Sequence, residues 1–254
     1  MDERLVAFKR LLDIMDDLRE KCPWDKKQTI QSLRHLTIEE TYELADAILE
    51  EDYNGLKGEL GDIMLHMVFY SKIASEKNEF DISDVLHTIS EKLIHRHPHI
   101  YGDVKVENEE EVKQNWEKLK LKEGKKSVLE GVPKSLPALV KAQRIQDKVA
   151  GVGFDWEKPE QVFDKVREEI NEFEDEVNNE HQDKMEEEFG DVLFSMINLA
   201  RHLDINPETA LEKTNKKFIS RFQYLEKEAK ALDKSLHELS LNEMDKIWNE
   251  AKSK

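Results

Sequence analysis

Residues 39–46 read EETYELAD and residues 168–175 read EEINEFED, with acidic residues at four matching positions. The second stretch follows the first by 129 residues. The same offset relates ELGDIMLHMV at 59–68 to EFGDVLFSMI at 188–197, and both polar and apolar positions match. Two blocks that share one offset indicate an internal duplication.

The sequence predicts an all-α protein made of two tandem helical-bundle domains. Hydrophobic residues make up 38% and charged residues 37% of the chain, with only 9 Gly and 6 Pro, a balance typical of amphipathic helices. No segment sustains the period-two alternation of a strand. The helical pattern covers residues 2–20, 34–50, 55–77, 82–96, 108–122, 138–149, 159–178, 182–203, 207–231 and 241–252.

Three helix starts carry capping signals. Thr37 with Glu40 resembles a capping box, and Ser83 resembles a helix N-cap more weakly. Pro207 suits the first turn of a helix that Asn206 would cap. These signals predict helix N-termini near Thr37, Ser83 and Pro207.

The predicted domain boundary lies in residues 124–137, where Gly124, Gly131, Pro133 and Pro137 interrupt the helical pattern. We therefore predict an N-terminal domain at 1–123, a linker at 124–137 and a C-terminal domain at 138–254. Trp116 aligns with Trp248 at an offset of 132, so loops differ in length between the copies.

Composition narrows the function classes. A formal net charge of −17 disfavours binding to nucleic acid, whose phosphates it would repel. The longest apolar runs, at 63–70 and 192–200, are far shorter than the roughly 20 residues of a membrane helix. The chain has one cysteine, Cys22, which excludes an internal disulfide and fits a reducing compartment, so we expect a cytoplasmic protein with no membrane partner.

Each copy contains two pairs of carboxylates, and the members of a pair lie three residues apart on one helix face. Two antiparallel helices with a short connection would bring the four carboxylates of a copy together, and four close anions require a cation. The predicted clusters are Glu40, Glu43, Glu59 and Asp62 in the first copy, and Glu169, Glu172, Glu188 and Asp191 in the second.

The donor set indicates the type of cation. Ligation by oxygen alone favours Mg²⁺, or Mn²⁺, over zinc. A di-iron bundle would add a Glu-x-x-His motif, which this chain lacks. The alternative is that these acids form ordinary solvated helix faces, but Asp62 and Asp191 each lead directly into an apolar run, where charges need a partner.

The order EExxE then ExGD before an apolar helix, repeated in tandem, resembles the MazG family of nucleoside triphosphate pyrophosphohydrolases. The resemblance covers essentially the whole chain. It is supported by CPWDKKQT at 22–29, RHPHIYGD at 96–103, LEGVP at 129–133, LPAL at 136–139, VGFDW at 152–156 and KFISRF at 217–222.

The resemblance implies a Mg²⁺-dependent, usually dimeric enzyme that splits a nucleoside triphosphate into the monophosphate and pyrophosphate. A metal-activated water would attack the α-phosphorus, and either Glu168 or Glu172 would accept its proton. Lys184 would add a catalytic positive charge one turn before Glu188. The implied substrate-binding residues are Lys217, Arg221 and Trp248, although a tryptophan at this position is more typical of a core or dimer anchor than of a platform for base stacking.

Two alternatives remain. A dUTPase-like or phosphoribosyl-ATP pyrophosphohydrolase would keep the carboxylates and change the base pocket, and a regulatory module would bind without turnover.

Lys184 aligns with Gly55 at offset 129, so the first copy lacks this positive charge and we expect the C-terminal copy to be the main catalytic one. His95, His97 and His99 flank Pro98, which predicts an extended turn and not a metal site.

Overall fold

The computed structural model describes residues 2–108, 111, 112, 115, 119 and 127–252. The chain divides into two compact units, Met1–Lys105 and Val106–Lys254. Within the described residues, all regular secondary structure is helical and there is no strand, which confirms the predicted all-α class. Residues 127–137, the described part of the predicted linker, contain turns and no helix.

The first unit contains six described helices: α1 Glu3–Lys21, α2 Pro23–Lys27, α3 Ile30–Leu49, α4 Tyr53–Ser75, α5 Ile82–Arg96 and α6 Pro98–Tyr101. In the second unit, the described residues 111, 112, 115 and 119 are helical. The helical elements with described bounds are α7 Ala138–Ala150, α8 Pro159–Asn178, α9 Gln182–His202, α10 Pro207–Ala231, the 3₁₀ turn Leu236–Glu238 and α11 Leu241–Ala251. The predicted helix at 108–122 and Trp116 lie largely outside the described residues.

The predicted start of α3 was wrong. Thr29 caps the helix, because its Oγ1 accepts the Ser32 N–H at 3.0 Å while Ser32 Oγ accepts the Thr29 N–H at 2.8 Å. Thr37 lies inside α3, where its hydroxyl donates to the Leu33 carbonyl and lies 2.7 Å from the Tyr70 hydroxyl. A threonine in a helix interior can bond to the preceding turn, so its presence alone does not identify a cap.

Two other helix starts were tested. Asp81 caps α5 and exchanges hydrogen bonds with Asp84, so Ser83 is not the cap. Asn206 caps α10, with its Oδ1 accepting the Thr209 N–H at 2.9 Å and Pro207 in the first turn, as predicted. Pro98 opens the single helical turn of α6 instead of an extended turn, so that prediction was wrong.

Each unit has its own hydrophobic core. In the first, α1, α3 and α4 bury Met15, Leu33, Val68, Phe69 and Ile73. In the second, α8 and α9 bury Val162, Val166 and Leu199. A separate cluster, formed by α10, α11 and the segment between them, buries Leu225, Ala229, Leu239 and Ile247.

The turns that join α3 to α4 and α8 to α9 share one backbone geometry. Glu51 and Glu180 both adopt the left-handed conformation, with φ of 54° and 57°. The following N–H groups close equivalent bonds, from Asp52 to the Ala47 carbonyl and from His181 to the Glu176 carbonyl. These turns reverse the chain over three residues, so α3–α4 and α8–α9 form two equivalent helical hairpins, on which the carboxylates lie.

Candidate metal centre

The hairpin of the second unit brings three carboxylates together. Glu169 and Glu172 project from α8 and Glu188 from α9, and one oxygen of each lies within 4.8 Å of the others. Glu169 is buried, Glu188 is half-buried and Glu172 is exposed. We call this group the second carboxylate cluster.

The hairpin of the first unit repeats the arrangement. Oxygens of Glu40 and Glu43 on α3 and of Glu59 on α4 also lie within 4.8 Å of one another, and we call this group the first carboxylate cluster. Both groups could hold a metal ion. The structure therefore brings together three of the four carboxylates predicted for each copy.

The fourth predicted carboxylates, Asp62 and Asp191, lie beside these clusters but outside the 4.8 Å groups. They are close enough to act electrostatically, since the negative charge of Asp62 raises the pKa of Glu40 and that of Asp191 raises the pKa of Glu188. Asp191 also lines a cavity together with Glu169.

The electrostatics of both clusters favour a positive partner. Burial, followed by the charges of neighbouring acids, raises the pKa of Glu40 and of Glu188 above the usual value. Burial, a hydrogen bond with Glu169 and the charge of Glu169 raise the pKa of Glu172. Glu40, Glu172 and Glu188 thus ionise less readily because they are desolvated and because their neighbours are also anions, and a cation would remove that repulsion.

Lys165 is a site residue that the sequence argument missed. Its Nζ lies 2.7 Å from Glu168 Oε1 and 2.8 Å from Glu169 Oε1, and these hydrogen bonds raise the pKa of Lys165. Lys165 precedes these acids by three and four residues, a spacing that could have identified it. The aligned residue in the first copy is Leu36, which carries no charge.

The predicted catalytic residues have different surroundings. Glu168 is held by Lys165 and is not part of the 4.8 Å group. Lys184 is exposed, and its Nζ lies 3.4 Å from Glu176 Oε1. Glu176 also contacts His181 Nδ1, at 2.7 Å. Among the described residues, Lys184 forms its ion pair with Glu176 and none with Glu188.

The predicted substrate-binding residues lie on the last two helices. Lys217 and Arg221 are one turn apart on α10, a different helix from those that carry the second carboxylate cluster. Trp248 lies on α11, where its ring is 5.0 Å from that of Phe218 and packs against the core cluster around Leu225.

A cavity of about 500 Å³ opens beside the second carboxylate cluster. Most of the surface of its wall is apolar, and the charged and polar residues in the wall are Glu169, Asp191, Lys165, Asp155, Arg201, Gln146, Ser195 and Asn198. Its other lining residues include Val149, Phe154, Trp156, Val162 and Phe194.

The Phe154–Trp156 segment of the cavity wall is fixed by Asp155. This carboxylate accepts hydrogen bonds from both terminal nitrogens of Arg201, one of them at 2.8 Å, from His202 Nε2 at 2.9 Å and from the Trp156 N–H at 2.9 Å. Burial alone would raise the pKa of Asp155, but the bonds from Arg201 and His202 outweigh burial and lower it. The aromatic wall is therefore attached to α9 by a partly buried ion pair.

Comparison with known proteins adds an independent observation. The model of the MazG nucleotide pyrophosphohydrolase domain matches residues 28–101 and 157–225, one match in each unit. A nucleoside triphosphate pyrophosphohydrolase of Escherichia coli K12 is 45% identical over 252 residues, which cover 96% of each chain. The Thermotoga maritima protein named nucleoside triphosphate pyrophosphohydrolase/pyrophosphatase MazG is 43% identical, over 99% of this chain and 98% of its own.

Among solved structures, a mazG-related protein from Thermotoga maritima aligns with a TM-score of 0.40 and 29% identity, over 44% of this chain and 98% of that one. The all-α fold with two equivalent hairpins, taken with the match in each of them, identifies an all-α nucleotide pyrophosphohydrolase. Within that class, the match in both units and the similarity along the full length show that the chain belongs to the MazG family.

Proposed function

We propose that this enzyme hydrolyses nucleoside triphosphates to the monophosphate and pyrophosphate at the second carboxylate cluster, with Mg²⁺ as the metal. The observation that carries the proposal is the position of Glu169, which belongs to the three-carboxylate group and also lines the cavity. A ligand in the cavity would therefore have its phosphates next to the metal ligands.

The residues present fit a hard divalent cation. Glu169, Glu172 and Glu188 supply oxygen donors within 4.8 Å of one another, and Asp191 would complete the set. No thiol or imidazole belongs to the group, which supports Mg²⁺ or Mn²⁺ over softer metals. When bound, such an ion supplies charge neutralisation for the triphosphate and lowers the pKa of a coordinated water.

Glu172 is better suited than Glu168 to accept the proton of the attacking water. The pKa of Glu172 is raised, which favours uptake of a proton, and Glu172 is exposed to the solvent from which the water comes. One oxygen of Glu168 is already bonded to Lys165 at 2.7 Å. Lys165 in turn holds Glu169 in place and offsets part of the negative charge beside the triphosphate.

The remaining substrate contacts are proposed from the family pattern. Lys217 and Arg221 on one face of α10 would bind phosphate oxygens, Arg221 through its planar fork. Lys184 would turn from Glu176 towards the leaving pyrophosphate, and Trp248 would contact the nucleoside.

The assembly and location remain proposals as well. Exposed apolar side chains on α4 and α9, among them Met64, Met67, Leu193 and Met196, support a homodimer that covers these faces.

The net negative charge of the chain supports small nucleotides over nucleic acid as partners. None of the described helices has the length and apolar character needed to cross a bilayer. The single cysteine supports a reducing compartment such as the cytoplasm.

The test is to incubate the protein with each NTP and dNTP in the presence of Mg²⁺ and to identify the products by chromatography. We expect nucleoside monophosphate and pyrophosphate in equal amounts. A nucleoside diphosphate with inorganic phosphate would refute cleavage at the α-phosphorus. Binding without any turnover would instead indicate a regulatory module.

A further inference from the structure

Gln146 has a buried hydrogen-bond acceptor without a donor. The residue lies on α7 and is only 3% exposed. Its Nε2 donates to the Phe194 carbonyl at 2.8 Å, while its Oε1 is buried and has no hydrogen-bond partner. Because the Phe194 carbonyl requires a donor, the amide is fixed in the orientation that leaves Oε1 unpaired.

The Gln146 side chain lines the cavity beside the second carboxylate cluster. Buried polar groups are nearly always paired, and an unpaired one calls for a specific explanation. An N–H group of a ligand in the cavity would provide the missing donor. The orphaned oxygen therefore indicates a ligand that presents an N–H to Gln146.

A second amide in the cavity wall offers the opposite polarity. Asn198 Oδ1 accepts hydrogen bonds from Arg201 Nε at 3.2 Å and Nη2 at 2.8 Å. This fixes the Asn198 amide too, and its Nδ2 has no partner among the described residues. These two amides therefore give the wall an unpaired acceptor and an unpaired donor near aromatic and aliphatic side chains, an arrangement suited to a flat heterocycle with N–H groups and ring acceptors.

We infer that this cavity holds the base of the nucleotide substrate, with Gln146 Oε1 accepting a hydrogen bond from a base N–H. The inference rests on the proposed function, because it takes the triphosphate to lie on the carboxylates. Glu169 and Asp191 line the same cavity, so a nucleotide whose phosphates face them would extend its base towards Gln146.

The first copy lacks the equivalent polar wall. Asn198 aligns at offset 129 with Phe69, which is 2% exposed and packed in the core with Met15 and Leu33. A phenyl ring thus stands where the second copy has an amide. Base recognition of this kind therefore belongs to the C-terminal unit.

The test measures the coupling between Gln146 and the base N–H. The variant is Gln146→Met, which keeps an unbranched side chain and removes the acceptor. The substrates are the four ordinary NTPs and, for each, an analogue whose exocyclic amine or ring N–H is fully methylated. Both kcat/KM with Mg²⁺ and the Kd of the matching α,β-methylene triphosphates, by calorimetry, are recorded.

For the preferred base, we expect Gln146→Met to lower kcat/KM at least about 10-fold and to weaken binding in parallel. The variant should leave the methylated analogue within about 2-fold of its value with the parent protein. This difference separates a lost hydrogen bond from a steric effect of the methyl group. The Mg²⁺-dependent rise in melting temperature should be unchanged, and Gln182→Met, an exposed substitution at the start of α9, is the matched control.

The inference would be overturned if Gln146→Met lowered kcat/KM equally for the ordinary and the methylated substrates, or lowered it for neither. The proposed function would still stand in that case, provided that the products were monophosphate and pyrophosphate. Base-dependent coupling in the binding data without turnover would support the inference and refute the proposed reaction. If Gln146→Met does not fold, the parent protein still decides, because equal kcat/KM and Kd for every base and its methylated analogue would contradict a base N–H contact.

Discussion

At the residue scale, Glu172 and Glu43 occupy equivalent positions in the two carboxylate clusters but have different neighbours. Only Glu172 belongs to the cluster that shares Glu169 with the cavity. We expect Glu172→Gln to lower NTP cleavage by about 10²–10³-fold or more, because the substitution removes a ligand and the proposed proton acceptor. Glu43→Gln should retain most of the activity. Steady-state assays of both variants side by side would refute the assignment if the ranking were reversed.

A second prediction at this scale concerns Glu188. Burial and the charges of Asp191 and Glu169 raise its pKa, so the ionised side chain opposes folding when no cation is present. In a chelator, Glu188→Gln should therefore raise the melting temperature. With saturating Mg²⁺ the order should invert, because the parent protein gains roughly 5 °C or more from binding and the variant gains little.

Differential scanning calorimetry with and without Mg²⁺ checks this inversion. Lys227→Gln, which removes the positive charge of an exposed residue on α10, controls for any general effect of changing surface charge. If Glu188→Gln showed the same Mg²⁺-dependent rise in melting temperature as the parent protein, Glu188 would not be a metal ligand.

At the element scale, the hairpin turn depends on a left-handed glutamate. Glu180 has φ of 57°, a conformation that is strained for any residue with a Cβ. Glu180→Gly should stabilise the protein by about 0.5–1 kcal/mol, because relief of strain exceeds the added flexibility of the unfolded chain. The urea midpoint measures the effect, and Glu51→Gly should act in the same direction in the first unit. A lower midpoint for both would contradict the strain argument.

The stability supplied by the segment that carries Phe154 and Trp156 should depend on pH. The hydrogen bonds to Asp155 lower its pKa below the value of 3.8 expected for the unfolded chain. The stabilisation from Asp155 is therefore fully present above about pH 4 and disappears as the pH falls through the lower folded-state pKa. Asp155→Asn should lower the urea midpoint at pH 7, and the difference from the parent should narrow below pH 4.

Measuring both proteins from pH 7 to pH 3 tests this dependence. A difference that stayed constant across the range would mean that packing, and not the charge of Asp155, holds the segment. Asp164→Asn, which changes an exposed aspartate on α8, provides the matched control.

The helical elements show where sequence reasoning succeeds and where it fails. The periodic helices were predicted to within a few residues, because their apolar spacing is a local property. The start of α3 was missed because Thr29 with Ser32 and Thr37 with Glu40 are equally local signals. In the structure Thr29 forms the cap, whereas the Thr37 hydroxyl bonds within the helix and contacts Tyr70. The short helix Pro23–Lys27 has too few residues to show a period.

The candidate site divides in the same way. The carboxylates could be predicted, because a three-residue spacing on adjacent helices determines which side chains meet. Lys165 followed the same rule and could have been found. Gln146 could not, because its unpaired oxygen results from the contact of α7 with the Phe194 carbonyl, which lies 48 residues away in sequence.

At the scale of the whole molecule, the apolar faces of α4 and α9 predict self-association. Leu60, Met64, Leu193 and Met196 are each close to half exposed. We expect a dimeric mass by light scattering at micromolar concentration, because such side chains are usually covered by a partner. Leu193→Glu should shift the mass towards the monomer, whereas Leu203→Glu, at the end of α9, serves as the matched control. A monomeric parent protein would contradict the prediction.

Phe69 in the core of the first unit has a consequence for stoichiometry. Both hairpins carry a carboxylate cluster, but the position of Asn198 is occupied by a phenyl ring in the first unit. We therefore expect two cation sites and one nucleotide site in each chain. Titration with Mn²⁺ alone should then saturate at twice the molar ratio reached by a nucleotide, and the excess cation would report on the unit that does not bind the base.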